Sequence, residues 1–278
     1  MSRRTTFRRT IFLTVAFTIG VTVQSLRCDD LGSGTVSIDG ADGTVTYFER
    51  RGPRGMDDGG SAPTVVIVSG IHGNERSGPV AARRILEEVD LLRGQLFVVP
   101  VANPGAYATG TRRSPDGGDL NRRFPEGDAL GNKAGTDAAP EAWAGESAGV
   151  PDGDIPTDRL ARSLLARIVA WQPDVVIDFH ESDRYWKETP GAAVVLPPSG
   201  VGSEVVLDLL EQPELGDFGF TGSPPAGSLV HALDRRGIPA YIVEVPRRYP
   251  VETRVETYRR ITVAVLHFLG MVSERPVR

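Results

Sequence analysis

Thr64-Val65-Val66-Ile67-Val68-Ser69-Gly70-Ile71-His72-Gly73-Asn74-Glu75 passes directly from five β-branched residues into a polar turn. A short apolar run without polar alternation belongs to a strand buried on both faces, as in a sheet covered by helices. The turn that ends it carries His72 and Glu75 where a core residue would be apolar. Burying an ionised glutamate there unpaired would cost several kcal/mol.

The pattern repeats outward from this stretch. Pro79 to Leu92 predicts a helix, with Val80, Ile85, Val89 and Leu92 at helical spacing and Gly94 as its stop. Gln95 to Val101 reads as a second buried strand. A helix from Arg159 to Trp171 leads to a third strand, Val175 to Phe179. Helical stretches at Ser203–Glu211 and Ser228–Arg236, a strand at Ala240–Val245 and a helix at Glu252–Leu269 follow. Upstream, Val36–Ile38 and Thr44–Phe48 flank the Gly/Asp-rich turn Asp39–Gly43, a hairpin pattern. The fold class is therefore α/β, with a mixed, largely parallel central sheet covered by helices and a small N-terminal β-hairpin. A single domain is expected over 34–272, with a long irregular loop at 126–157 rich in Gly, Ala, Asp and Glu.

Composition narrows the class. The 278 residues are 40% hydrophobic and 24% charged, enough for one sizeable core and without fixed-period repeats. A net charge of −5 argues against nucleic acid as a partner. Cys28 is the only cysteine, which argues against a disulfide framework, a cysteine zinc site or a thiol nucleophile.

The N-terminus reads as an address. Arg3, Arg4, Arg8 and Arg9 precede an apolar run, Ile11 to Val23, of 13 residues. A membrane-spanning helix takes about 20, so the run fits the core of an export signal. Val23-Gln24-Ser25 offers small residues for cleavage, and Arg8-Arg9-Thr10-Ile11-Phe12 resembles a twin-arginine signal. Residues 1–27 are expected to direct export to the cell envelope or beyond. An uncleaved anchor is the alternative, and the one membrane contact expected.

Two chemistries compete for the domain. His72 and Glu75, three residues apart in a tight turn, can reach one metal, and His180 closes the strand Val175–Phe179. Two histidines and a glutamate leave one position open in a catalytic zinc arrangement. All three lie at carboxyl ends of apolar strands, where α/β sheets place their sites. Against this, Gly145-Glu146-Ser147-Ala148-Gly149 matches the nucleophile elbow of serine esterases. That elbow works only between a strand and a helix, and neither pattern flanks Ser147.

The motifs together resemble the succinylglutamate desuccinylase/aspartoacylase branch of the zinc carboxypeptidase superfamily. The likeness rests on His72-Gly73-Asn74-Glu75, Gly110-Thr111-Arg112, Gly118-Asp119-Leu120-Asn121-Arg122, Asp178-Phe179-His180 and Gly237-Ile238-Pro239 leading to Glu244. It covers roughly Pro63 to Leu269. The resemblance implies one zinc per chain on His72, Glu75 and His180, lowering the pKa of a bound water toward ~7. It implies Glu244 as general base and proton shuttle, with an ion pair to Arg247 or Arg248 as the structural alternative. Arg112 would stabilise the oxyanion, with Arg113 its possible substitute. Asn121 and Arg122 would grip a substrate carboxylate. Asp178 is a candidate to orient a ligand histidine. Ser228 matches a position near the substrate but also reads as a helix cap. His231 and His267 read as packing or surface residues, and Tyr185 and Trp186 as candidates to line the pocket.

The implied activity is hydrolysis of an amide, or an ester, beside a carboxylate-bearing group. The substrate would be an N-acyl amino acid or a peptide, making the enzyme a deacylase or a metallocarboxypeptidase. The sequence departs from the family after Glu244, where 34 residues reading as one helix replace the usual C-terminal β domain. A serine esterase built on Ser147 and a non-catalytic secreted binding protein are the alternatives.

Overall fold

The computed structural model describes residues 31–37, 44–53, 62–126, 155–184, 192–195, 199–200, 202–212, 215, 218–220 and 223–273. Residues 1–27, expected as an export signal, and Cys28, Ser147, Tyr185 and Trp186 lie outside these residues.

Eight strands form one sheet: β1 (Leu31–Ser37), β2 (Thr44–Arg51), β3 (Thr64–Ser69), β4 (Gln95–Val99), β5 (Val175–Glu181), β6 (Ala192–Val195), β7 (Phe218–Phe220) and β8 (Ala240–Val245). Their spatial order is β1-β2-β4-β3-β5-β8-β6-β7. The centre, β4-β3-β5-β8, is parallel throughout. Antiparallel pairs join β1 to β2, β2 to β4, and β8 to β6. The sheet is thus mixed with a parallel core, and the N-terminal hairpin extends one edge.

Every residue of β3 and β5 is buried, because helices cover both faces. These are α1 (Ser77–Glu88), α2 (Pro104–Thr109), α3 (Pro156–Ala170), α4 (Ser203–Leu210), α5 (Leu229–Asp234) and α6 (Val251–Phe268). Successive strand residues point to opposite faces. Val65 and Ile67 accordingly pack with Ile85 of α1 and Tyr258 and Ile261 of α6. Val66 and Val68 pack with Leu164, Leu165 and Ile168 of α3 and Val230 and Leu233 of α5.

Two of the helix boundaries that differ from the sequence pattern do so for physical reasons. Helix α1 stops at Glu88, not Leu92. Val89 is extended (ψ 123°), and its carbonyl accepts from the buried Arg50 guanidinium, reaching in from β2. Helix α3 begins at Pro156, three residues early, because Asp158 accepts from the Ile155 N–H and proline suits the first turn. The short elements α2, β6 and β7 were not anticipated, since none is long enough to show a period.

Candidate metal centre

Strands β3 and β5 are parallel neighbours, with Ser69 opposite Phe179, so their carboxyl ends open at the same edge. Beyond β3 the chain reverses at Gly70, whose φ of +66° favours glycine. Backbone N–H groups of Ala102 and Asn103 donate to the carbonyls of Ser69 and Gly70. Gly73 presses against α2 so closely that a Cβ would lie 1.9 Å from the Ala106 carbonyl oxygen. The turn closes with the Glu75 N–H donating to the His72 carbonyl at 3.2 Å.

This turn places His72 and Glu75 against His180 at the end of β5. His72 Nδ1 lies 2.9 Å from Glu75 Oε1 and 3.1 Å from His180 Nδ1, and His180 Nδ1 lies 3.0 Å from Glu75 Oε2. All three side chains are buried, and one donor atom from each falls within 4.8 Å of the others. No other group of three or more potential ligands occurs among the described residues. Two imidazole nitrogens and a carboxylate oxygen suit zinc and leave room for a further ligand.

The far nitrogens are held from behind. His72 Nε2 lies 3.1 Å from Asp119 Oδ1. His180 Nε2 lies 3.0 Å from Asp178 Oδ2 and 3.3 Å from Asn121 Nδ2. Carboxylates behind ligand histidines fix ring orientation and raise basicity. Asp178 stands where the sequence predicts an orienting carboxylate, whereas Asp119 is marked in the sequence only as part of its motif. The signal available was a carboxylate two residues before Asn121, inside the same turn.

Electrostatics follow from the crowding. Burial alone would raise the Glu75 carboxyl, but His72 and His180 hold it well below the ordinary carboxylate range. Burial opposes charge on His180, yet Asp178 and Glu75 push its pKa well up. Asp119, likewise desolvated, is lowered by His72, Arg112 and Arg122.

Glu244 of β8 sits beside His180 in parallel register, so both side chains share a face. Burial pushes its carboxyl up to about 7, with His180 opposing and Glu75 adding to the rise. Its Oε2 is buried without a hydrogen-bond partner among the described residues. The structural alternatives for Glu244 are not seen. Arg247 instead reaches Glu75 Oε1 (3.2 Å) and the Glu181 carbonyl, and Arg248 pairs with Asp183.

Arg112 bonds Asp119 Oδ2 through Nε at 3.0 Å, and its Nη1 lies 3.4 Å from His72 Nδ1. Arg113 turns away and donates to the Gly117 carbonyl. Asn121 is fixed by accepting from the Leu229 N–H at the start of α5, and Arg122 Nη1 donates to the Asn121 carbonyl at 2.7 Å. Ser228 caps α5 by accepting from the His231 N–H. His231 faces Glu126 at 3.8 Å, and His267 lies on α6; neither joins the metal cluster.

The family profile described as the succinylglutamate desuccinylase/aspartoacylase catalytic domain matches residues 61–269. The N-alpha-acetyl-L-2,4-diaminobutyric acid deacetylase of Halomonas elongata is 31% identical over 137 residues, 48% of this chain. That match spans only 33% of the relative's length. The crystal structure of a succinylglutamate desuccinylase/aspartoacylase from Rhodobacter sphaeroides superposes with a TM-score of 0.59 at 20% identity. It covers 88% of this chain and 67% of that one. The ectoine utilization protein EutE (DoeB) of Ruegeria pomeroyi gives 0.63 at 18% identity, covering 89% and 70%. The two structures speak for the fold, the profile for descent. The chain therefore belongs to the succinylglutamate desuccinylase/aspartoacylase family of amide-bond deacylases.

Proposed function

We propose that this protein is an exported, zinc-dependent hydrolase that releases acyl groups from small N-acylated amino acids. The observation that carries the reading is the convergence of His72, Glu75 and His180 donor atoms beside a buried carboxyl oxygen of Glu244 that has no hydrogen-bond partner among the described residues. One zinc per chain on the three donors would supply a Lewis acid and an acidified water.

The chain's own groups do the rest. Glu244, with a pKa near neutrality, takes the proton of the attacking water and delivers it to the leaving amine. Arg112, held by Asp119, meets the negative charge that develops on the carbonyl oxygen. Asn121 and Arg122 bind the carboxylate of the amino-acid half. The deacetylase relative supports a deacylase over a carboxypeptidase; an ester would be cleaved by the same groups. Export is proposed from residues 1–27 alone.

The test is elemental mass spectrometry and turnover on wild type, His72→Ala and Glu244→Gln. About one zinc per chain is expected in the wild type and in Glu244→Gln, but not in His72→Ala. Glu244→Gln should lose roughly 10²–10⁴-fold in kcat. Phenanthroline should abolish turnover of N-acyl amino acids. No zinc after reconstitution, or activity that survives Glu244→Gln and dies in Ser147→Ala, would overturn the mechanism in favour of the serine esterase.

A further inference from the structure

We infer that Glu181 is a positioning residue for the metal centre, setting the spacing between the two segments that supply its ligands. The inference rests on the metal reading above.

Glu181 follows His180 in β5, and consecutive strand residues face opposite sides of a sheet. His180 turns toward Glu75 and Asp178, while Glu181 turns toward α1 and α6 and is itself buried, 3% exposed. Its Oε1 accepts from the Ser77 N–H at 2.7 Å and from the Ser77 hydroxyl. Its Oε2 is paired with Arg254 of α6. Its own N–H donates to Glu75 Oε2 at 3.1 Å, and its carbonyl accepts from Arg247.

The first turn of α1 lacks a cap of its own: Arg76, at the N-cap position, makes no side-chain bond there, and the turn contains no acid. A carboxylate belongs at a helix N-terminus, where it satisfies orphan N–H groups and the helix dipole. Glu181 supplies it from another strand. Ser77 is two residues beyond Glu75, so the side chain of Glu181 fixes the segment carrying His72 and Glu75. Its backbone meanwhile fixes the Glu75 carboxylate and is continuous with His180. Helix α6 secures the arrangement at two successive residues, with Tyr258 donating to the His180 carbonyl and Arg254 pairing with Glu181. One residue thereby spans two segments more than a hundred positions apart in sequence.

In Glu181→Gln the amide oxygen can keep the Ser77 bonds, but its NH₂ group faces Arg254 and the charge at the cap is lost. Zinc affinity, measured by competition with a chelating dye, is expected to weaken roughly 10–100-fold, as for other outer groups that hold metal ligands. The visible spectrum of the cobalt-substituted protein should shift with it. Arg50→Met, which uncaps the opposite end of α1 at Val89, should lower the melting temperature of the metal-free protein while leaving zinc affinity unchanged. Wild-type affinity in Glu181→Gln, or equal loss in both variants, would overturn the inference and reduce Glu181 to a helix cap. If Glu181→Gln does not fold, Ser77→Ala takes its place, with a several-fold weakening expected and unchanged affinity as the contrary result. Failure of the wild type to bind metal would remove the metal reading together with this inference. Wild-type binding in the Glu181 variant would remove this inference alone.

Discussion

Glu75 is buried, yet it meets both histidines, the Glu181 N–H and Arg247, with Arg112 Nη1 at 3.9 Å. That density of partners explains how a carboxylate survives where the strand pattern calls for an apolar side chain. It also holds Arg112 beside Glu75 and His72 while Arg113 is committed to a loop carbonyl. Arg112→Ala is expected to lower kcat by roughly 10²–10³-fold, the usual loss for one oxyanion donor. Arg113→Ala should leave kcat near wild type, as steady-state kinetics on one substrate would show. The cluster of His72, Glu75 and His180 was legible because a polar turn after a buried strand is locally anomalous. Asp119 and Glu181 were not, because their partners, His72 and Ser77, lie 47 and 104 residues away, and pairing at such distance leaves no local period.

At the scale of elements, the loop that carries Arg112 and Asn121 is tied to α3. Asp116 accepts from the Thr157 N–H and hydroxyl and from the Gly118 N–H. Partial desolvation works against its ionisation, but these bonds hold its pKa below the ordinary value. The folded state therefore favours the ionised form. The stabilisation is complete above the unfolded-state pKa, about 3.9, and fades as pH falls through the lower folded-state value. Asp116→Asn should cost roughly 1 kcal/mol at pH 7, a capping-bond magnitude kept small by the exposure of Asp116. The gap in melting temperature from wild type should close below about pH 4, which calorimetry at pH 7 and pH 3 would read. The strand Ala240–Val245 was legible to the residue, and the other buried strands to within two, because a run of apolar side chains flanked by turns has few other uses. The end of α1 was not, because Val89 and Leu92 continue the helical spacing while the deciding group, Arg50, comes from β2.

For the whole molecule, the proposed metal ligands join β3 to β5 through groups the unfolded chain does not hold together. Zinc bound to the native state adds stability by mass action, about 4 kcal/mol when free metal is about 1,000 times Kd. Removing it with a chelator is expected to lower the melting temperature, and restoring zinc to recover it. A melting temperature indifferent to both would contradict the site. The alternation of strands and helices made the α/β architecture and its parallel centre legible. The antiparallel insertion of β6 beside β8 was not, since a four-residue strand carries too little pattern to declare its neighbour or its direction.

The position of β8 has a consequence for assembly. It comes last among the described strands, yet it lies between β5 and β6. During synthesis His72, Glu75 and His180 leave the ribosome before Glu244, and β6 cannot join the sheet until β8 arrives beside β5. If the proposed roles hold, metal capture can precede completion of the fold, whereas proton transfer by Glu244 cannot. On the proposed mechanism the nascent protein stays hydrolytically silent until β8 has joined β5.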